Sequence, residues 1–217
     1  MDKPIDYFWR LKLENVKEAL ESNNFEVFIA DNSVEASKIV LENIIPTIDI
    51  KSISWGGSMT FVGTGLYDTL KQNKDFKVLD PNDKSLSDDE KTQLRREALL
   101  TDFFITGTNA VTEDGCLVNL DMIGNRVGAL TFGPKNVLVL TGRNKIVPDI
   151  ESAMDRIKDF VAPANAIRLD MKTPCIKTGV CSECKSSARI CNTWTITQKS
   201  FPKKRTKIVL INEDLGL

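Results

Sequence analysis

Apolar residues near the start of the chain fall at helical spacing. Trp9, Leu13, Val16 and Leu20 lie at steps of four, three and four, which is one face of a helix. The apolar runs that follow are short and β-rich: FEVFIA (25–30), SISWG (52–56), FKVLD (76–80), FFITG (103–107), VLVLTG (137–142) and TKIVLIN (206–212) each predict a strand. FFITG and VLVLTG suit strands buried on both faces. Helical signals sit between them. Ser33 is placed to cap a helix over 33 to about 45, with Pro46 just after it. A third helix is expected over 66–72. Ser87 with Glu90 three residues on is the capping-box pattern for SDDEKTQLRREALL. A long helix is expected from about Pro148, in its first turn, to Val161. CLVNLD (116–121) follows a TEDG turn and predicts a hairpin with what precedes it.

Strands alternating with helices predict an α/β fold, a largely parallel sheet with helices on both faces, in one domain over 1–217. Residues 163–205 break the alternation and read as a cysteine-rich insertion before the last strand. From 171 to 207 nine Lys or Arg face one acid, Glu183, leaving +8 locally and −9 elsewhere. Such a segment is too short to bury its own core without a metal or the main body.

Composition narrows the classes. The net charge of −1 selects neither nucleic acid nor membrane, and no apolar run approaches the roughly 18 residues of a membrane span. The N-terminus lacks the basic start and apolar block of a signal peptide, so a cytoplasmic protein with reduced thiols is expected. There is no histidine, which excludes Ser-His-Asp and Cys-His chemistry within the chain. Acid–base work falls to carboxylates, lysines, cysteines or tyrosines.

Ligands in parallel α/β folds bind at the carboxyl ends of strands. WGGSMTFVGTG (55–65) is placed there. Gly56 and Gly57 let the backbone approach an anion, and Ser58 and Thr60 add hydroxyl donors. The sequence matches neither a phosphate-binding GK[ST] loop nor a dinucleotide fingerprint, and a tight turn with a capping serine explains it equally. TGTNAVTEDGCLVNLDMIGNRVG (106–128) is unusually polar between core strands. Glu113 and Asn109 are its candidate catalytic groups. Asn119, Asp121, Asn125 and Arg126 are candidate ligand contacts, with Arg126 suited to clamp a carboxylate. Turn chemistry accounts for the same acids. Lys145 follows a strand end and faces either this pocket or solvent. Cys175, Cys181, Cys184 and Cys191 are spaced C-x5-C-x2-C-x6-C with Lys177, Lys185 and Arg189 between them. A metal or iron–sulfur site, a disulfide pair and unrelated thiols all remain open, the reducing compartment favouring metal or redox chemistry. Cys116 reads as a small core residue.

TGTNAVTEDGCLVNLDMIGNRVGALTFGPKNVLVLTGRNKIV, then APANAIRLDMKTPCIKTGVCSECKSSARICN, closely resembles the LUD-domain lactate utilisation proteins of the LutC/YkgG type, and WGGSMT resembles their upstream glycine-serine element. The resemblance covers nearly the whole chain. It implies a fold similar to the NagB, ribose-5-phosphate isomerase and CoA-transferase group. It also implies a part in oxidising L-lactate to pyruvate beside iron–sulfur oxidoreductase partner proteins. An electron-transfer pathway favours a 4Fe–4S cluster on the four cysteines, with structural zinc as the alternative. Two further functions compete. One is a zinc-stabilised binding or regulatory module whose basic segment meets an acidic partner; nucleic acid is disfavoured by the two tyrosines available for stacking. The other is an isomerase or CoA-transferase by fold analogy, acting through Glu113. The sequence leaves open whether the chain is an enzyme and whether it forms a homo-oligomer.

Overall fold

In the computed structural model, residues 4–217 are described. The amphipathic start forms α1 (Pro4–Ser22), which buries Leu13, Val16 and Leu20. In chain order there follow β1 (Glu26–Ala30), α2 (Ser33–Lys38), β2 (Ser52–Trp55), α3 (Met59–Gly63), α4 (Leu66–Lys71), β3 (Lys77–Leu79), α5 (Asp88–Glu97), β4 (Phe103–Gly107), β5 (Ala110–Thr112), β6 (Leu117–Asp121), α6 (Asn125–Thr131), β7 (Asn136–Gly142), β8 (Ile146–Val147), α7 (Ile150–Arg156), α8 (Ala162–Arg168), α9 (Cys175–Thr178), β9 (Thr193–Thr197) and β10 (Thr206–Ile211). Among the described residues no helix is long and apolar enough to cross a membrane.

Six strands pair in the order β1-β10-β7-β4-β2-β3, all parallel. Alternation along the central strands explains their unbroken apolar runs. Leu138 and Leu140 pack with α2, α3 and α4 on one face. Val137 and Val139 pack with α1 and Leu130 on the other. A helix-covered sheet has no wet face, so every position of β4 and β10 is buried.

A second sheet, β8-β5-β6-β9, grows from the carboxyl edge of the first. β5 follows β4 and β8 follows β7 with only short links, so their register is inherited from the main sheet. The predicted hairpin is β5–β6. Its Val118 and Leu120 pack against Ala153, Ile157 and Val161, while Leu117 turns to the α1 side.

Two local readings are corrected. Asn32, in extended backbone, caps α2 by accepting from the Glu35 amide at 3.0 Å, and Ser33 is already helical. That helix continues through a wide turn (Ile39–Ile44) into a tight one (Ile45–Thr47) that contains Pro46. Asp149, not Pro148, starts α7, because its side chain accepts from the Ser152 amide at 2.8 Å. The helix runs on past Val161 to Arg168. Residues 163–205, read as an insertion within the domain, are tied to the main body. They include α8 and β9, and β9 pairs antiparallel with β6 from Leu117↔Thr197 to Asp121↔Thr193.

Asp102 ties the amino ends of the parallel strands together. Its carboxylate accepts from the amides of Lys51 and Ser52 at 3.1 Å each and from Lys135 Nζ at 2.8 Å. The Lys135 bond, then the amide and hydroxyl donors, hold its pKa at about 2 against an ordinary 3.8, overcoming the opposing effect of burial. A depressed carboxyl pKa contributes stability above the unfolded value, lost as pH falls through the folded one. Asp102→Asn is thus expected to lower the urea midpoint at pH 7 and to flatten the acid limb between about pH 4 and 2. Equal losses at both ends of that window would contradict the assignment.

Candidate functional site at the carboxyl edge of the sheet

Four segments meet where the parallel strands end: 56–60 after β2, 108–109 after β4, 143–145 after β7 and 212–217 after β10. The β6–α6 corner and α7 close the group from the side. Asp121 begins the corner. Its carboxylate accepts from the Arg126 amide at 3.1 Å and from Arg126 Nε at 3.2 Å, fixing both the helix start and the guanidinium. Arg126 Nη2 then donates to Asn109 Oδ1 at 3.2 Å. Arg156 of α7 donates from Nη1 to the Asn109 carbonyl at 2.8 Å and from Nε to the Asn144 carbonyl at 3.2 Å. Asn109 is thereby held between two guanidiniums. Its amide donates to Asn119 Oδ1 at 3.3 Å. Asn119 is fully buried, and its Nδ2 has no hydrogen-bond partner in the described structure. A buried amide donor without an acceptor is uncommon in a folded protein.

Lys145 completes the cluster. It is 4% exposed, and its Nζ donates to Thr60 Oγ1 at 2.8 Å and to the Thr108 carbonyl at 3.3 Å. Among the described residues no carboxylate pairs with it. Burial, then the charges of Arg156 and Arg126, push its pKa down to about 7. Two arginines, a lysine and an unsatisfied amide share this corner with one acid, Asp121, which Arg126 already engages. An entering anion would relieve that repulsion and supply acceptors.

Glycines make the close approaches. A Cβ on Gly56 would lie 2.6 Å from Arg126 Cγ, so only glycine leaves room for the arginine stem. Gly216, at φ +69°, presses on the Thr60–Lys145 pair, where a Cβ would lie 2.7 Å from Thr60 Oγ1.

The expected residues are only partly brought together. Asn109, Asn119, Asp121, Arg126, Lys145, Gly56 and Thr60 converge. Ser58 is spent on capping α3, accepting from the Phe61 amide at 3.1 Å, and Gly57 is exposed beside it. Asn125 stands half-buried in the first turn of α6. Glu113 is not at this edge. It sits in the turn at the far end of the β5–β6 hairpin, its carboxylate 2.7 Å from Lys12 of α1. Arg156 and Asn144 were not singled out from the sequence. The signal for Arg156 was its place between Ala153 and Ile157 of a buried helical stripe. Asn144 was visible only as part of TGRN.

The four cysteines Cys175, Cys181, Cys184 and Cys191 are free thiols lining one small pocket, open to solvent, against α8. Arg189 braces it, donating from Nε to Cys191 Sγ at 3.1 Å and from Nη1 to the Cys184 carbonyl at 3.0 Å. Among the described residues no three Cys, Asp or Glu side chains are placed to hold a single metal ion. The sulfurs border a space instead of meeting at a point. Cys116 is apart from them, buried in the small sheet, with burial pushing its thiol pKa up. A second small pocket shares Ala162, Ile190 and Cys191 with the first and reaches Asn109 and Asn165.

The fold and this edge define a parallel α/β domain carrying a small antiparallel sheet at its strand ends. A solved structure described as a DUF162 family protein from Deinococcus radiodurans has a similar fold, with a TM-score of 0.52 at 12% identity over 94% of this chain and 98% of that one. The LUD domain model matches residues 13–211, and the chain belongs to the LUD domain family. No curated protein matches the chain.

Proposed function

We propose that the chain is a single LUD domain over 1–217 that works in the cytoplasm as a redox component of L-lactate oxidation to pyruvate. It binds a small organic acid at the strand ends and a 4Fe–4S cluster through Cys175, Cys181, Cys184 and Cys191. The observation that carries this reading is the shared wall. The cavity lined by the four thiols and the cavity that reaches Asn109 have Ala162, Ile190 and Cys191 in common.

The donor set fits each ligand. Arg126 and Arg156 bring two guanidinium charges to the site of a carboxylate, and Lys145 and Asn119 offer further donors. Four thiols suit a cluster, and the Arg189 guanidinium beside Cys191 offsets negative charge. Such a cluster, when bound, supplies one-electron transfer. An isomerase or CoA-transferase reading through Glu113 loses its carboxylate, which is at Lys12.

The test is iron and sulfide analysis with a visible spectrum on anaerobically purified protein. About four irons and four sulfides per chain are expected. Cys184→Ser should lose both while keeping the far-UV spectrum of the fold. About one zinc and no sulfide would overturn the cluster and make the loop a structural zinc site.

A further inference from the structure

The loop that carries the cysteines presents a face that neither cavity uses. Lys172, Lys177 and Lys185 are exposed, and among the described residues none is ion-paired with a carboxylate. They border the thiol cavity: Lys172 precedes the lining residue Thr173, Lys185 follows Cys184, and Lys177 shares the single turn of α9 with Cys175. Exposed apolar side chains flank the same lining residues along the chain. Ile167 and Val180 adjoin the lining residues Ala166 and Cys181, and Leu169 ends α8. Glu183 is turned to Lys158 and Arg189, and Asp170, exposed just before the segment, makes no ion pair with the three lysines among the described residues. Of the nine basic residues in 171–207, Lys172, Lys177, Lys185 and Arg189 lie on this loop, and the other five lie from Lys199 onward toward β10.

We propose that this face docks an acidic protein electron carrier, one that rings its own redox group with carboxylates. Its being a redox carrier rests on the reading of the thiol cavity as a redox centre. The docking chemistry rests on the surface alone. Exposed lysines supply steering and exposed apolar side chains supply contact area, the two ingredients of a protein interface. A single-stranded nucleic acid would need rings to stack on, and residues 165–190 contain no aromatic side chain. Exposed, unpaired lysines of this kind attract an acidic partner before contact, so they act mainly on the association rate.

The probe is an acidic plant-type 2Fe–2S ferredoxin, titrated into the full chain purified anaerobically, with iron measured on the same sample. Binding is expected at about 20 mM salt and at least about tenfold weaker at about 300 mM, where screening shortens the reach of surface charges. The triple variant Lys172→Glu, Lys177→Glu, Lys185→Glu should weaken binding by about 10- to 100-fold, mostly through the on-rate. Its melting curve and iron content should match the parent. The single variant Lys177→Glu should show a smaller loss in the same direction. The matched control is Lys203→Glu with Lys204→Glu, beside the start of β10 at the opposite edge of the sheet, and it should leave affinity within about twofold.

Absence of binding at low salt overturns the proposal, as does an equal loss in the control. Binding of an RNA oligonucleotide through the same three lysines, with ferredoxin ignored, overturns it in favour of nucleic acid. Iron-loaded protein that ignores ferredoxin refutes the docking face and leaves the cluster standing. Iron-free protein that still binds through the three lysines upholds the docking face and refutes the cluster.

Discussion

Lys145→Met is expected to make the protein more stable at neutral pH while weakening its hold on anions. The lysine pKa is about 7 in the fold against 10.5 for the free side chain. A depressed lysine pKa means that the folded state binds fewer protons than the unfolded state between those values. The wild-type protein should therefore gain stability as pH rises from about 7 toward 10.5, and the cost of the buried ammonium is full below about 7. The displacement from 10.5 to about 7 is worth roughly 5 kcal/mol. The bonds to Thr60 and Thr108 offset it by about 1 kcal/mol each. A net gain of about 2–3 kcal/mol is expected for the methionine variant near pH 6, shrinking by pH 9. Urea midpoints at the two pH values measure it, and an unchanged or lower midpoint at pH 6 would refute the buried-charge account. For function the sign reverses. Affinity of the wild-type protein for pyruvate, whose charge is constant there, should fall as pH rises through about 7, because the ammonium attracts an anion and the neutral amine does not. The variant should bind weakly, without that pH step.

A methyl group at Gly56 should do comparable damage from the other side of the cluster. The added Cβ would lie 2.6 Å from Arg126 Cγ, 3.2 Å from its Cδ and 3.1 Å from Thr106 Oγ1. The arginine stem cannot swing aside freely, because its head is held by Asp121 and Asn109. Either the loop shifts or the guanidinium leaves its place. Gly56→Ala is expected to cost about 1–3 kcal/mol of stability, in line with overpacking of a filled site. Anion affinity should fall at least about tenfold, the loss of one charge-assisted contact. Gly57→Ala is the matched control, since nothing lies within 4 Å of a Cβ there. Calorimetric titration with phosphate and a thermal melt on both variants decide the matter. Similar behaviour of the two would show that Arg126 tolerates the methyl group and that the glycine is merely a turn residue.

The two glycines illustrate how far the chain can be read unaided. GG after a strand announces a loop that approaches something closely, but it does not say which glycine is constrained or by what. Arg126 is seventy residues further on and reaches Gly56 only because α6 is anchored by Asp121. Glu113 shows the opposite failure. It lies in the same polar run as Asn109, yet a hairpin carries it away along the strands to Lys12. Four residues of extended chain are enough to separate two side chains by on the order of 13 Å.

Local signals determined the elements of this protein. The apolar spacing of α1, the capping box of α5 and the unbroken runs of β4, β7 and β10 depend on backbone hydrogen bonding and burial over a few residues. Strand–helix alternation then dictated a parallel sheet, because parallel neighbours need crossover helices. Helix starts were less legible, since Asn32 and Asp149 compete with adjacent residues for the same orphan amides. Only the tertiary structure decided that β9 closes a second sheet on β6, that Arg156 meets Arg126 at Asn109, and that four thiols border one cavity beside them. Those contacts join segments tens of residues apart, and the direction of a side chain across such a distance is set by packing, which no local pattern encodes.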